Sequence, residues 1–221
     1  MLSRLPRWVE YGAFSLSTLA GSVNAVGLLG FQHQSVSHLS GIATLLGAGL
    51  SQSLAGSLHL SAILGAFLFG AALSGFLIED EVLKLGKRYR LALIIEGGLL
   101  LAAMLVLRHE SVWGHYLASA ACGLQNAMVT TYSGAVVRTT HVTGIFTDLG
   151  LMLGARLRGK PFDRRKAQLF LLIIAGFVFG GAVGAMLFQR FGFGALMPPA
   201  FLAFGLAALY WYYTRASSVG E

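Results

Sequence analysis

The chain has 221 residues, of which 56% are hydrophobic and 11% charged, and its mean hydropathy is +0.71. A soluble domain carries about 25% charged residues, so a disordered chain, a secreted disulfide scaffold and a cytosolic enzyme are excluded and a polytopic integral membrane protein remains. The net charge of +7 does not point to nucleic acid, because the basic residues lie in short gaps between apolar runs, where they act as orientation signals.

Eight apolar segments follow in order. Tyr11–Phe31 comes after Arg4 and Arg7 but is longer than the ~7–15 residues of a signal-peptide core, so it reads as an uncleaved first span. Leu39–Leu50, preceded by His38, has about 12 residues, or ~18 Å of helix, too short for the ~30 Å hydrocarbon layer. Leu60–Ile78 and Leu91–Leu107 are of spanning length, the latter carrying Glu96. Val112–Val137 holds His115, Asn126 and the lone Cys122, which reads as a small buried hydrophobe. Val142–Leu153 is again short, follows His141 and contains Asp148. A basic cluster comes next: Arg156, Arg158, Lys160, Arg164, Arg165 and Lys166. It resembles a lipid- or nucleic-acid-binding patch and reads first as a positive-inside anchor. Leu169–Phe188 carries Gly176, Gly180 and Gly184, a close-approach face for a neighbouring helix in the chain or for a homo-oligomer. Phe191–Thr214 is interrupted by Pro198-Pro199, which predicts a kink or break near its middle.

The most informative feature is an internal repeat. HLSGIATLLGAGL (38–50) matches HVTGIFTDLGLML (141–153), with His, Gly, Ile, Thr, Leu, Gly and Leu at the same places. Backwards, Gly21-Ser-Val-Asn24-Ala25 aligns with Gly123-Leu-Gln-Asn126-Ala127; forwards, Ala66-Gly70-Ser74 aligns with Gly176-Gly180-Gly184. The chain reads as a duplicated unit of about 105 residues: a single membrane domain over 1–221, with a first unit at 8–107 and a second at 112–214.

The basic residues decide the topology. If the two short segments dip in and return, only Arg108 and Arg190 of the 16 Lys and Arg residues face outside. If all eight segments cross, Lys84, Lys87, Arg88, Arg90 and Arg138 move outside, Arg190 stays there and Arg108 moves in, which the positive-inside rule disfavours. Each unit then has three spans, an odd number, so the copies enter the membrane in opposite senses. The expected fold is all-α: six transmembrane helices plus two short re-entrant or half-length helices, built as an inverted tandem repeat. Both termini are expected to be cytoplasmic in a bacterial inner membrane. Short, Gly-interrupted segments at matching places in inverted repeats point to a transport site.

Several residues are candidates to line a path. Ser40, Thr44, Gly47 and Ser51 fall on one face of the first short helix, as Thr143, Thr147, Gly150 and Gly154 do on the second. Such a face offers oxygen atoms to a solute and equally suits tight helix packing. His38 and His141 stand at equivalent entrances, able to gate, bind a solute or satisfy backbone. Asn24 and Asn126 sit mid-span, fitted to bond the broken ends of the short helices or to touch a solute. Glu96 and Asp148 are the acids within apolar segments, candidates for proton or cation sites, with an interhelical hydrogen bond or a pair with Arg138 as the alternative for Asp148. Gly41 and Gly144 permit tight backbone. No metal or cofactor is expected. No HExxH, GxSxG, P-loop or GxGxxG motif occurs, and Thr131-Tyr-Ser133-Gly134 lacks the leading glycine of an intramembrane serine protease, so an enzyme is not expected.

These residues carry a family likeness. Through Ala20-Gly-Ser-Val-Asn-Ala-Val-Gly27, Ser37-His-Leu-Ser-Gly41 with Thr44, Gly123-Leu-Gln-Asn-Ala127 and Arg138-Thr-Thr-His-Val-Thr-Gly144 with Thr147, the chain resembles the YoaK-type family of small bacterial integral membrane proteins of unknown function. It departs from that pattern at Asn24, where Asp is common, at Ile42-Ala43, and at Asp148, where Asn is common. The resemblance implies a multi-span inner-membrane protein and brings no substrate with it. The expected function is a small channel or secondary transporter for a small solute or ion, with its path where the paired short helices meet. The alternative is a non-transporting membrane scaffold.

Overall fold

The computed structural model describes residues 8–30, 36–50, 53–78, 87–133 and 138–217. The expected ends of the first and fifth segments, Phe31 and Val137, the candidate Ser51, Gly134 and the basic residues Arg4, Arg7 and Lys84 lie outside them. All the regular structure among the described residues is helical: α1 Trp8–Gly30, α2 Leu39–Gly49, α3 Leu54–Leu77, α4 Lys87–Arg108, α5 Trp113–Tyr132, α6 Val142–Leu157, α7 Arg164–Phe191 and α8 Met197–Ser217, with a short 3-10 turn at Gly192–Leu196 before α8.

Among the described residues, four stretches are long and apolar enough to cross a membrane: Trp8–Gly30, Leu54–Leu77, Arg88–Arg108 and Arg164–Tyr213. The protein is therefore a multi-pass membrane protein. The last stretch has 50 residues, ~75 Å if straight, more than twice the hydrocarbon thickness of ~30 Å. It is divided at Gly192, whose φ of 55° ends α7 and starts the 3-10 turn. The expected break at Pro198-Pro199 is not there: both prolines lie in the first turn of α8. A first-turn N–H has no helical partner in any case, so proline there starts a helix without loss. The fourth expected span, α5, is not among the four stretches, because it carries His115, Ser119, Gln125, Asn126, Thr130 and Thr131.

The short helices begin at Leu39 and Val142, as the repeat predicts. Helix α2 has 11 residues and α6 has 16, about 17 and 24 Å long. Each has a single buried residue, Ile42 in α2 and Ile145 in α6, the isoleucine common to both repeat motifs.

Packing crosses between the halves of the chain. Helix α1 lies along α7 and α3 along α5; α4 packs against α5 and α8; α2 rests on α3 and α6 on α7. Apolar burial does not drive helices together in lipid, so close backbone approach at small residues must do much of that work. The glycines mark those approaches. Gly21 meets the carbonyl of Phe177 and Gly180 that of Thr18, across α1 and α7; Gly123 meets the carbonyl of Phe67 and Gly70 that of Ala120, across α3 and α5. A Cβ at any of these four would overlap backbone. The ladder of Gly176, Gly180 and Gly184 lies against Phe14, Thr18 and Ser22 of α1, so its close approach is made within the chain and that face is not free for a second copy. Around these contacts, one buried cluster includes Leu124, Met128, Phe170 and Ile173, a second includes Leu19, Val23, Leu100 and Leu196, and a third joins Ile42 to Leu60 and Ile63.

Candidate functional site

The two short helices are held and dressed alike. Before α2, Ser37 Oγ donates to Asn24 Oδ1 of α1 at 2.7 Å. Before α6, Thr140 Oγ1 donates to Asn126 Oδ1 of α5 at 3.3 Å. Each mid-span asparagine thus ties down the segment that leads into a short helix, which satisfies an amide that hydrocarbon would leave without a partner.

At each helix entrance a histidine folds over the first turn. His38 Nδ1 would stand 3.2 Å from a Cβ at Gly41, and the His141 ring occupies the place of a Cβ at Gly144. The spacing His-x-x-Gly lets the imidazole lie on bare backbone. Neither ring makes a side-chain cap hydrogen bond. The His38 and His141 carbonyls instead accept from the first turn, Gly41 N at 3.1 Å and Ile145 N at 3.2 Å. Both histidines are exposed, and His38 Nε2 lies 3.4 Å from Ser40 Oγ.

Along the helices, Thr44 Oγ1 donates to the Ser40 carbonyl at 2.8 Å and Thr147 Oγ1 to the Thr143 carbonyl at 3.0 Å. Ser40, Thr44, Thr143 and Thr147 are exposed. A hydroxyl has one donor and two acceptor sites. With the donors turned back onto the helix, the outward threonine oxygens offer lone pairs only. Asp148, on the same helix as Thr147, lies 4.0 Å from Lys166 Nζ of α7; that lysine, rather than Arg138, is its basic neighbour.

The structure does not bring all the candidates together. Helices α2 and α6 do not pack on one another among the described residues, so the expected path at their meeting is replaced by two separate faces, one on α3 and one on α7. Glu96 belongs to neither: it lies in α4, which packs on neither short helix, is 1% exposed, and has Oε2 without a partner among the described residues. Among the described residues no three His, Cys, Asp or Glu stand together in a way that could hold a metal ion.

One constellation has no precedent in the sequence reading. His59 Nδ1 of α3 lies 2.9 Å from Tyr116 Oη of α5, and His115 Nδ1 lies 3.4 Å from His59 Nε2. Ser119 Oγ, one turn on, donates to the Ile63 carbonyl at 2.9 Å and is 3.3 Å from the Val36 carbonyl, and Gln125 Nε2 donates to the Leu16 carbonyl of α1 at 2.8 Å. These bonds bind α5 to α3 and α1. The only signal for them was the number of polar residues in the fifth segment.

The family described as "Protein of unknown function (DUF1275)" matches residues 12–209, nearly the whole chain, and the protein belongs to it. No curated protein and no solved structure matches the chain.

Proposed function

We propose that this protein is a small channel or secondary transporter for a cation or a small hydrogen-bond-donating solute, made of two like halves. The observation that carries the reading is the matched pair of short helices α2 and α6, each presenting exposed hydroxyls, of which Thr44 in α2 and Thr147 in α6 turn their donors back onto the helix. Oxygens so arranged are suited to replace part of a solute's hydration. In hydrocarbon such a surface must meet water, solute or protein.

The crossed packing supports reading 8–107 and 112–214 as copies. Gly21 and Gly123, Gly70 and Gly180, and the bonds of Asn24 and Asn126 make matching contacts in the two halves. The distribution of basic residues favours inverted copies, six spans and both termini on the cytoplasmic side of a bacterial inner membrane. In that arrangement α2 serves one face of the membrane and α6 the other, as two half-paths rather than one sleeve. His38 and His141 flank the entrances, and Asp148 gives the α6 side a negative charge. Glu96, an acid buried in α4 away from both short helices, is assigned proton exchange during a cycle only as part of this proposal.

The test is flux into liposomes holding the purified protein, across a panel of ions and small solutes. Thr44→Val and Thr147→Val should each cut flux by about tenfold or more while melting is unchanged, and Asp148→Asn should alter it. A second reading, a non-transporting scaffold, draws on the same exposed faces, since Gly, Ser and Thr also gather where helices associate. Absence of flux across the panel, together with a co-purifying membrane partner, would establish that reading instead.

A further inference from the structure

The basic cluster between α6 and α7 divides into two groups. Arg165 Nε lies 3.6 Å from Glu10 Oε1 of α1, and Lys166 is the neighbour of Asp148. Arg156, Arg158, Lys160 and Arg164 have no acidic partner among the described residues. Asp163, the only acid within the cluster, caps α7 by accepting from Lys166 N at 3.0 Å.

Two of these four cations face the same space. A cavity of about 360 Å³ at the α6–α7 junction is lined by Arg156, Arg164, Leu153 and Phe162. Two guanidinium groups and two apolar side chains around one opening match an amphiphile with an anionic head. The apolar side continues outwards. Phe146, Leu153 and Leu157 recur at helical spacing on α6 and are 59%, 57% and 89% exposed, and α6 packs on nothing but α7 among the described residues.

We propose that this junction is a binding site for an anionic phospholipid, with its phosphate held between Arg156 and Arg164 and an acyl chain laid along Leu153 and Phe162. Guanidinium groups bind phosphate oxygens through paired N–H donors, and basic pockets beside membrane helices favour anionic headgroups. A positive-inside anchor needs only charge near the membrane. A site needs these two arginines in particular, and that difference is measurable.

The experiment titrates the full-length protein in detergent with phosphatidylglycerol, with phosphatidylcholine of the same chains, and with inorganic phosphate. Melting temperature and lipid adducts in native mass spectrometry are the readouts. Phosphatidylglycerol should raise the melting temperature and leave a discrete adduct; the other two should not. Arg156→Gln with Arg164→Gln should weaken phosphatidylglycerol binding about tenfold, and Arg158→Gln with Lys160→Gln, which removes equal charge outside the cavity, by less than about twofold. Equal losses in the two pairs would overturn the site in favour of a diffuse anchor. So would equal binding of phosphatidylcholine, or a full shift produced by inorganic phosphate alone. If the first pair does not fold, the headgroup comparison on the unaltered protein and Phe162→Ala, expected to weaken lipid binding, decide the matter.

Discussion

Gly21 of α1 stands directly against the backbone carbonyl of Phe177 in α7, at a distance that leaves no room for a side chain. Gly123 of α5 stands the same way against Phe67 of α3, and the repeat motif places Gly21 and Gly123 at corresponding positions. Replacing either by Val should force the helices apart and cost about 1–3 kcal/mol, the usual penalty of overpacking. Gly75 faces open space, so Gly75→Val should stay within about 0.5 kcal/mol, as surface changes do. Thermal melting of the three variants in one detergent checks this; a Gly21 variant as stable as the Gly75 variant would contradict the packing.

The asparagine ties should govern the order of the short helices. Removing one through Asn24→Ala or Asn126→Ala forfeits a hydrogen bond worth about 0.5–1.5 kcal/mol. The loss should appear locally: amide exchange should speed up in α2 for the first variant and in α6 for the second, while α7 and α4 stay protected. Uniform loss of protection would show that the asparagines support the whole bundle instead.

The glycines of α6 should respond in opposite ways. Gly150 meets nothing within 4 Å, so Gly150→Ala gains helix propensity and should stabilise by up to about 1 kcal/mol. At Gly144 a methyl group would displace the His141 ring, so Gly144→Ala should lower the melting temperature or expel the histidine from its place. Restoration of stability in Gly144→Ala with His141→Ala would confirm the ring as the cause.

Glu96 has a carboxyl oxygen without a partner in a buried setting. Glu96→Gln keeps the shape and removes the chance of burying a charge, so the variant should melt no lower than the parent, and a buried unpaired charge such as Glu96→Lys should prevent folding. If Glu96 exchanges a proton during transport, the Gln variant should also lose the pH dependence of flux. A pH profile unchanged in a folded Gln variant would remove Glu96 from the mechanism.

Local pattern carried much of the fold. The starts of α2 and α6 follow from the repeated His-x-x-Gly motif, and the long apolar runs mark α1, α3 and α4. Contacts between distant segments were less legible. The Gly176–Gly184 ladder announced a close approach, but which helix would fill it depended on the crossed packing of α1 with α7. Pro198-Pro199 predicts a kink or break inside the last apolar segment; the positive φ of Gly192 makes the break ahead of them, and the prolines begin α8. The separation of α2 from α6 was invisible, since a repeat shows that two elements are alike and not that they touch. His59, His115 and Tyr116 meet across α3 and α5 with no local spacing to announce it.

The most direct test of the inverted, re-entrant arrangement is the side of the membrane on which each short helix begins and ends. In a Cys122→Ala background, Ala55→Cys lies in the first turn of α3, after the link from α2, and Arg158→Cys at the end of α6. An impermeant thiol reagent applied to intact cells should label the first variant, and should label the second only after lysis. Protection of both variants in intact cells would mean that α2 and α6 cross fully, and the two half-paths would not exist.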